Sequence, residues 1–291
     1  MEAKVDRLDA SALFIEQLSN RLVDLVDEDE PEKSLQHALE VCLFADGVDE
    51  ISSKAGQSVR EKRVAFFEGL SSKRDQIIPD GSSAINAVVE ALTTTGKGGE
   101  KLVSIMVGDC GSSLIGDLLL AHVLISLQLA SRVTLIASTP KQKQDSRSPS
   151  LRATAVDVAG HIEHLADPKL HRDVWAVRHF GEACRMHAQS GQITFAEGDE
   201  DMPTSVLAGS MMVFVKGEAN YRRLLGEREW PLDTPARDVL SYWPVPVCAL
   251  RCVRAEIGCG ISEATQARLE REDVSWMLRG RHYQVHYAPR L

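Results

Sequence analysis

No apolar run in this chain comes near the roughly 18 to 20 residues that a membrane-spanning helix needs. The longest, Leu118-Leu-Leu-Ala-His-Val-Leu-Ile125, is interrupted by His122, so no membrane association is expected. The first residues, Met1-Glu-Ala-Lys-Val-Asp6, carry no apolar signal-peptide core, and the expected location is the cytoplasm. Basic charge is not in surplus either. The formal net charge is -9, whereas a nucleic-acid footprint requires clustered Lys and Arg, so nucleic acid is not expected as a partner. Small anions met through local clusters are still allowed. The six cysteines (Cys42, Cys110, Cys184, Cys248, Cys252, Cys259) show no CxxC spacing, which argues against a zinc ribbon and a disulfide framework. They should be reduced and mostly buried, with Cys110 the exception. There is no Gly-x-Ser-x-Gly elbow and no Walker A loop, so serine hydrolase and P-loop chemistry lack support. Nor does a Gly-x-Gly loop follow a strand in a way that would cradle a sulfonium cofactor.

What is present is ordinary globular composition, 44% hydrophobic and 26% charged, over 291 residues. That length allows one large α/β domain or two modest ones. Apolar spacing of three and four predicts helices over Ala10–Val26, Ser34–Ala45, Val59–Leu70 and Ser83–Leu92, with Pro31 in a first helical turn. From Lys101 the pattern becomes strand (Leu102–Val107), helix (Leu114–Leu129), strand (Arg132–Ala137), a βαβ unit that implies parallel pairing. Helices are expected at Leu151–Leu165 and His171–Ala188, and strands at Gln192–Ala196, Met211–Lys216, Val247–Cys252 and Tyr283–Tyr287. The fold expected is a three-layer α/β/α arrangement with a mainly parallel, Rossmann-like sheet. A helical portion, 1–100, packs on an α/β domain, 101–291. Lys141–Ser150 reads as a polar loop beside the ligand crevice, and Glu197–Asp201 as a solvated acidic turn.

Two places concentrate chemistry. Asp109 ends the first sheet strand and precedes Cys110-Gly-Ser112-Ser113, where a helix begins. Backbone N–H groups at such a helix start favour an anion, and an Asp at a strand tip suits a hard metal, although Asp and Ser before a helix also serve as plain caps. The second place is Val213–Trp230, an apolar strand that ends in Lys216-Gly and opens into Glu218, Asn220, Arg222 and Arg223, a set suited to an anionic ligand and a metal. His161 and His164 lie at metal-holding spacing on a helix but read as a solvated face, and His282 and His286 as sheet packing or exposure. The four tryptophans read as core or rim aromatics.

The order Lys216-Gly-Glu-Ala-Asn-Tyr-Arg-Arg-Leu-Leu-Gly-Glu-Arg-Glu-Trp230 resembles the damage-control phosphatase family, in the branch also described as protein-glutamate methyltransferase-like. Three further segments are similar to that family's motifs: Asp109-Cys-Gly-Ser-Ser-Leu-Ile-Gly-Asp117, then Thr139-Pro140 with Asp145, and Pro244–Ile257 with Arg251-Cys-Val-Arg254. Weaker similarity reaches back to about Leu43 through Gln76-Ile-Ile-Pro-Asp80. The resemblance implies a metal at Asp109 and Asp145, and phosphate or substrate contacts from Lys216, Arg251, Arg254, Ser112 and Ser113. It also implies catalytic roles for Asp109, Glu218 and Asn220. The implied cofactor is a divalent metal, namely manganese, magnesium, cobalt or nickel.

The chain departs from the family at this very site. The family's metal-binding Asn is replaced by Cys110 or deleted, and its following Glu gives way near Ser112 or Ser113. Its Asp after Lys-Gly is Glu218, and its Arg-Thr-x-Lys is Arg251-Cys-Val-Arg254. A sulfur ligand suits zinc or cobalt better than magnesium or manganese, so Cys110 is a poor replacement and loss of the metal is allowed. The expected function is therefore a divergent metal-dependent phosphatase of a small phosphorylated metabolite. The alternatives are a repurposed cyclase, lyase or isomerase using acid/base residues of the same pocket, and an inactive ligand-binding homologue. Substrate identity and oligomeric state are not readable.

Overall fold

The structure is a computed structural model that describes residues 26–48, 70–78, 81–94, 99–138, 153–171, 175–198, 207 and 209–290. The expected helices Ala10–Val26 and Val59–Leu70, the loop Lys141–Ser150 and the turn Glu197–Asp201 fall wholly or largely outside the described residues. So do Thr139, Pro140, Asp80 and Asp145.

Helices α1 (Pro31–Val48) and α2 (Gly81–Thr93) precede strand β1 (Leu102–Met106), helix α3 (Ser112–Ser126) and strand β2 (Arg132–Ser138). Helices α4 (Ala155–Ala166) and α5 (Trp175–Gln189), strands β3 (Ile193–Gly198) and β4 (Met212–Lys216), and helices α6 (Glu218–Leu224) and α7 (Ala236–Val239) follow. The last elements are β5 (Val247–Cys252), α8 (Glu263–Glu272) and β6 (Tyr283–Ala288). The sheet order is β3-β2-β1-β4-β5-β6, parallel except for β6, which pairs antiparallel with β5.

Strands buried on both faces have side chains that alternate between two cores. Val103, Ile105, Phe214, Cys248 and Leu250 face one core together with α1 to α5. Met106, Val213, Val215, Val247 and Ala249 face the other, with Tyr221 and Leu224 of α6 and Val239 of α7. The result is the expected three-layer α/β/α arrangement. Helices α1 and α2 share the first core with the sheet.

Helix α3 is apolar nearly all round and is buried from Ser112 to Ala121. Such a helix belongs inside, and α1 lies directly on it. Gly116 makes this approach possible, because a Cβ there would lie 2.9 Å from Ala45 Cβ and 3.0 Å from Cys42 Cα. The close crossing brings the C-terminal turn of α1 over the start of α3.

Several boundaries differ from the sequence reading. Helix α4 starts at Ala155, where Thr154 and Asp157 form a reciprocal capping box. His171 lies in the turn after α4, its N–H bonded to the Asp167 carbonyl, and α5 is described from Trp175. His161 is buried, with Nδ1 2.8 Å from the Asp157 carbonyl, so the solvated face expected for it is wrong: its helix turns that side inward. His286 packs inside the sheet as expected, and five cysteines are buried with Cys110 half-buried. Among the described residues no helix is long and apolar enough to cross a membrane.

Candidate functional site at the carboxyl ends of the strands

Strand order places the site. From β1 the chain moves outward through β2 to β3, then returns to the other flank of β1 with β4 and β5. The sheet therefore reverses direction between β1 and β4, and in open parallel sheets the crevice beyond such a reversal is where ligands bind. Asp109 leaves β1 at this end, Lys216 ends β4, Glu218 begins α6, Arg251 lies near the end of β5, and Arg254 follows it. Cys110 precedes α3 at this same end of the sheet, and Ser112 and Ser113 are the buried first residues of that helix.

At the reversal Gly217 takes φ 83°, a left-handed conformation that suits glycine, and turns β4 directly into α6. Asn220 Nδ2 then donates to the carbonyls of Val107 (2.8 Å) and Lys216 (3.0 Å), tying the ends of β1 and β4 together.

Lys216 is fully buried, a position an ammonium tolerates only when paired. Its Nζ donates to Asp46 Oδ1 at 2.7 Å and to Ser113 Oγ at 3.1 Å. Ser113 Oγ in turn donates to Asp46 Oδ1 at 2.6 Å, closing a triangle. The second oxygen of Asp46 accepts from the Cys252 N–H at 3.4 Å, while its backbone carbonyl accepts from Arg254 Nη2. A second carboxylate, Asp117, has Oδ1 3.9 Å from Lys216 Nζ and accepts from the Gly108 N–H and the Cys42 thiol. Burial works against ionised Asp46, but Lys216 and Arg254 outweigh it and hold that carboxyl below its usual range. Burial wins at Asp117 and pushes it up to about 7 despite Lys216. Lys216 itself is held above its usual value, since the two aspartates overcome its burial.

Arg251 anchors a second network. It is fully buried, with Nη1 2.9 and 3.1 Å from the two Glu218 oxygens. Its Nε and Nη2 both donate to Gln284 Oε1, at 3.0 and 2.7 Å, and its guanidinium lies 3.8 Å from the Tyr221 ring centre. Tyr221 and His286 Nε2 are in turn 3.0 Å apart. The Arg254 N–H adds a bond to Glu218 Oε2 at 3.2 Å. Glu218 keeps 16% of its side chain exposed, and burial raises its pKa in spite of Arg251.

Among the described residues no group of three His, Cys, Asp or Glu side chains comes together as a metal site. Asp109 is a half-buried hard oxygen donor at the strand exit and fits a divalent cation, whereas the neighbouring Cys110 thiol is a soft one that fits magnesium or manganese poorly. Asp145, the remaining expected ligand, lies outside the described residues.

Three central residues went unassigned in the sequence: Asp46, Asp117 and Gln284. A signal exists for Asp117, the one carboxylate in an otherwise apolar helix, since such a group must find a cation or keep its proton. Asp46 sits in a helix that also carries Glu32, Lys33 and Glu40, and nothing in the sequence sets it apart from them.

A sequence model of the damage-control phosphatase ARMT1-like domain matches residues 2–269. The chain is similar to damage-control phosphatase ARMT1 of Xenopus tropicalis, 25% identical with 94% of this chain and 63% of the relative covered. It is likewise similar to the proteins of that name from Bos taurus (22% identical) and Homo sapiens (23%), each with 94% of this chain and 63% of the relative covered. The chain thus spans somewhat less than two thirds of the length of these curated relatives. The chain belongs to the damage-control phosphatase ARMT1-like domain family.

Proposed function

We propose that this protein is a phosphatase that releases phosphate from a small phosphorylated metabolite with the help of a divalent cation. Membership of the family supports a phosphatase. The observation that carries the reading here is the gathering of Lys216, Glu218, Arg254 and Asp109 at the carboxyl ends of β1, β4 and β5, beside the reversal of the sheet.

In this reading Asp109 and Asp145 hold the cation, which when bound supplies Lewis-acid polarisation of the phosphoryl oxygens and a more acidic water. Lys216 and Arg254 face the phosphate oxygens, and the backbone N–H groups of Ser112 and Ser113 at the start of α3 add a field favourable to an anion. Glu218 is the partly exposed acid of the set, and its raised pKa suits it to accept a proton from water or return one to the leaving oxygen. Arg251 spends its donors on Glu218 and Gln284, so the role its geometry supports is to orient Glu218. Asn220, bonded to two strand-end carbonyls, holds the frame of the crevice.

The test is Glu218→Gln. It keeps the shape and removes the proton acceptor, so phosphate release should fall by about 100-fold or more, the usual order for a general acid or base, with little change in KM. Unchanged kcat would contradict the role.

A further inference from the structure

The site as read from the sequence is built wholly from the α/β part of the chain, yet its cationic end is fixed from outside it. Asp46 lies in the last turn of α1. One oxygen of its carboxylate accepts from both Lys216 and Ser113, the other meets the Cys252 N–H, and its backbone carbonyl receives Arg254. A single residue of the helical portion thus touches the ends of β4 and β5, the start of α3 and the arginine after β5.

We propose that Asp46 is a positioning residue of the site, which sets Lys216, Ser113 and Arg254 in the arrangement that receives a phosphate group. Lysine carries three N–H donors on a flexible stem. Two of them are committed here, to Asp46 and Ser113, and these bonds fix the direction of the third. Without the carboxylate, Lys216 would have the more distant Asp117, 3.9 Å from Nζ, as its nearest acid, and would turn toward it, away from Ser113. Both oxygens of the Asp46 carboxylate are engaged by protein donors, one by Lys216 and Ser113 and the other by the Cys252 N–H, so it acts through its neighbours. The pairing also keeps the buried ammonium desolvated and oriented before an anion arrives.

This inference rests on the reading of Lys216 as a phosphate ligand, and the experiment separates the two. Protein carrying nitrogen-labelled lysine gives an ammonium signal for Lys216, assigned by its absence in Lys216→Met. Calorimetry with inorganic phosphate, with and without manganese, gives the affinity. In Asp46→Asn the Lys216 signal should shift or vanish, and phosphate affinity should fall by about 10- to 100-fold, the order expected when a binding group is misplaced. In Lys216→Met the further change Asp46→Asn should add almost nothing. Ser113→Ala, a milder change in case Asp46→Asn does not fold, should weaken phosphate about 2- to 5-fold, the worth of one hydrogen bond. An unchanged Lys216 signal or an unchanged affinity in folded Asp46→Asn overturns the proposal, as does unchanged affinity in Ser113→Ala. If the unaltered protein binds no phosphate, the phosphate-ligand reading is what fails, and the lysine signal alone decides whether Asp46 fixes Lys216.

Discussion

Lys216 Nζ and Asp46 Oδ1 lie 2.7 Å apart although 170 positions separate them in the chain, and both side chains are buried. The pair joins the C-terminal turn of α1 to the end of β4. The two networks at the crevice hang from its ends: Ser113, Asp117 and Cys42 on the side of α3, and Cys252, Arg254 and Glu218 on the side of β5.

Breaking this pair should be costlier than removing it. Lys216→Met leaves Asp46 buried without its cation and should cost about 3–5 kcal/mol of stability. The double variant Asp46→Asn/Lys216→Met removes both charges and should recover a good part of that loss. Urea unfolding of the singles and the double checks this, and simple additivity would contradict it.

Arg251 should not tolerate lysine. Its guanidinium meets two carboxylate oxygens and the Gln284 amide at once while lying on the Tyr221 ring, and an ammonium cannot reproduce that planar fork. Arg251→Lys should lower thermal stability clearly, and if Arg251 orients Glu218 it should reduce kcat more than it raises KM. Equal stability of the two proteins in a thermal melt would count against the network.

Asp117 gives a pH dependence with a definite sign. Its carboxyl is pushed from an ordinary 3.8 to about 7, so between those values the folded protein keeps a proton that the unfolded chain has released. The stability this group contributes is complete below 3.8 and declines as pH rises to about 7. Asp117→Asn cannot lose that proton. Urea unfolding at a series of pH values should show a flatter profile for the variant across this window, and parallel profiles would contradict the assignment.

Gly116 should be intolerant of size. Any Cβ there meets Ala45 and Cys42 of α1, so Gly116→Val should cost about 1–3 kcal/mol by overpacking and displace Asp46 from Lys216. A denaturation midpoint unchanged from the unaltered protein would argue that α1 does not press on α3 this closely.

Much of the fold was legible because parallel strands buried on both faces read as continuous apolar runs, as in Met212-Val-Phe-Val-Lys216 and Val247-Cys-Ala-Leu-Arg-Cys252. Helix α8 was not, since it lies exposed and buries only Thr265 and Leu269, too few for a periodic signal. In the site, the strand-end residues were readable from their order along the chain. Asp46 was not, because its meaning depends on the crossing of α1 over α3, and neither helix announces that crossing. Gln284 was hidden for a similar reason. A glutamine in a β-strand looks neutral until the antiparallel register places it opposite Arg251.

The most direct measurement is phosphate release from p-nitrophenyl phosphate and a panel of sugar phosphates with manganese, magnesium, cobalt or nickel added, comparing the unaltered protein with Asp109→Ala and Lys216→Met. The account predicts release that depends on the cation, is abolished by chelation and falls by at least about 100-fold in both variants. Release that is indifferent to cation and to both substitutions, or no release from any of these esters, would contradict it.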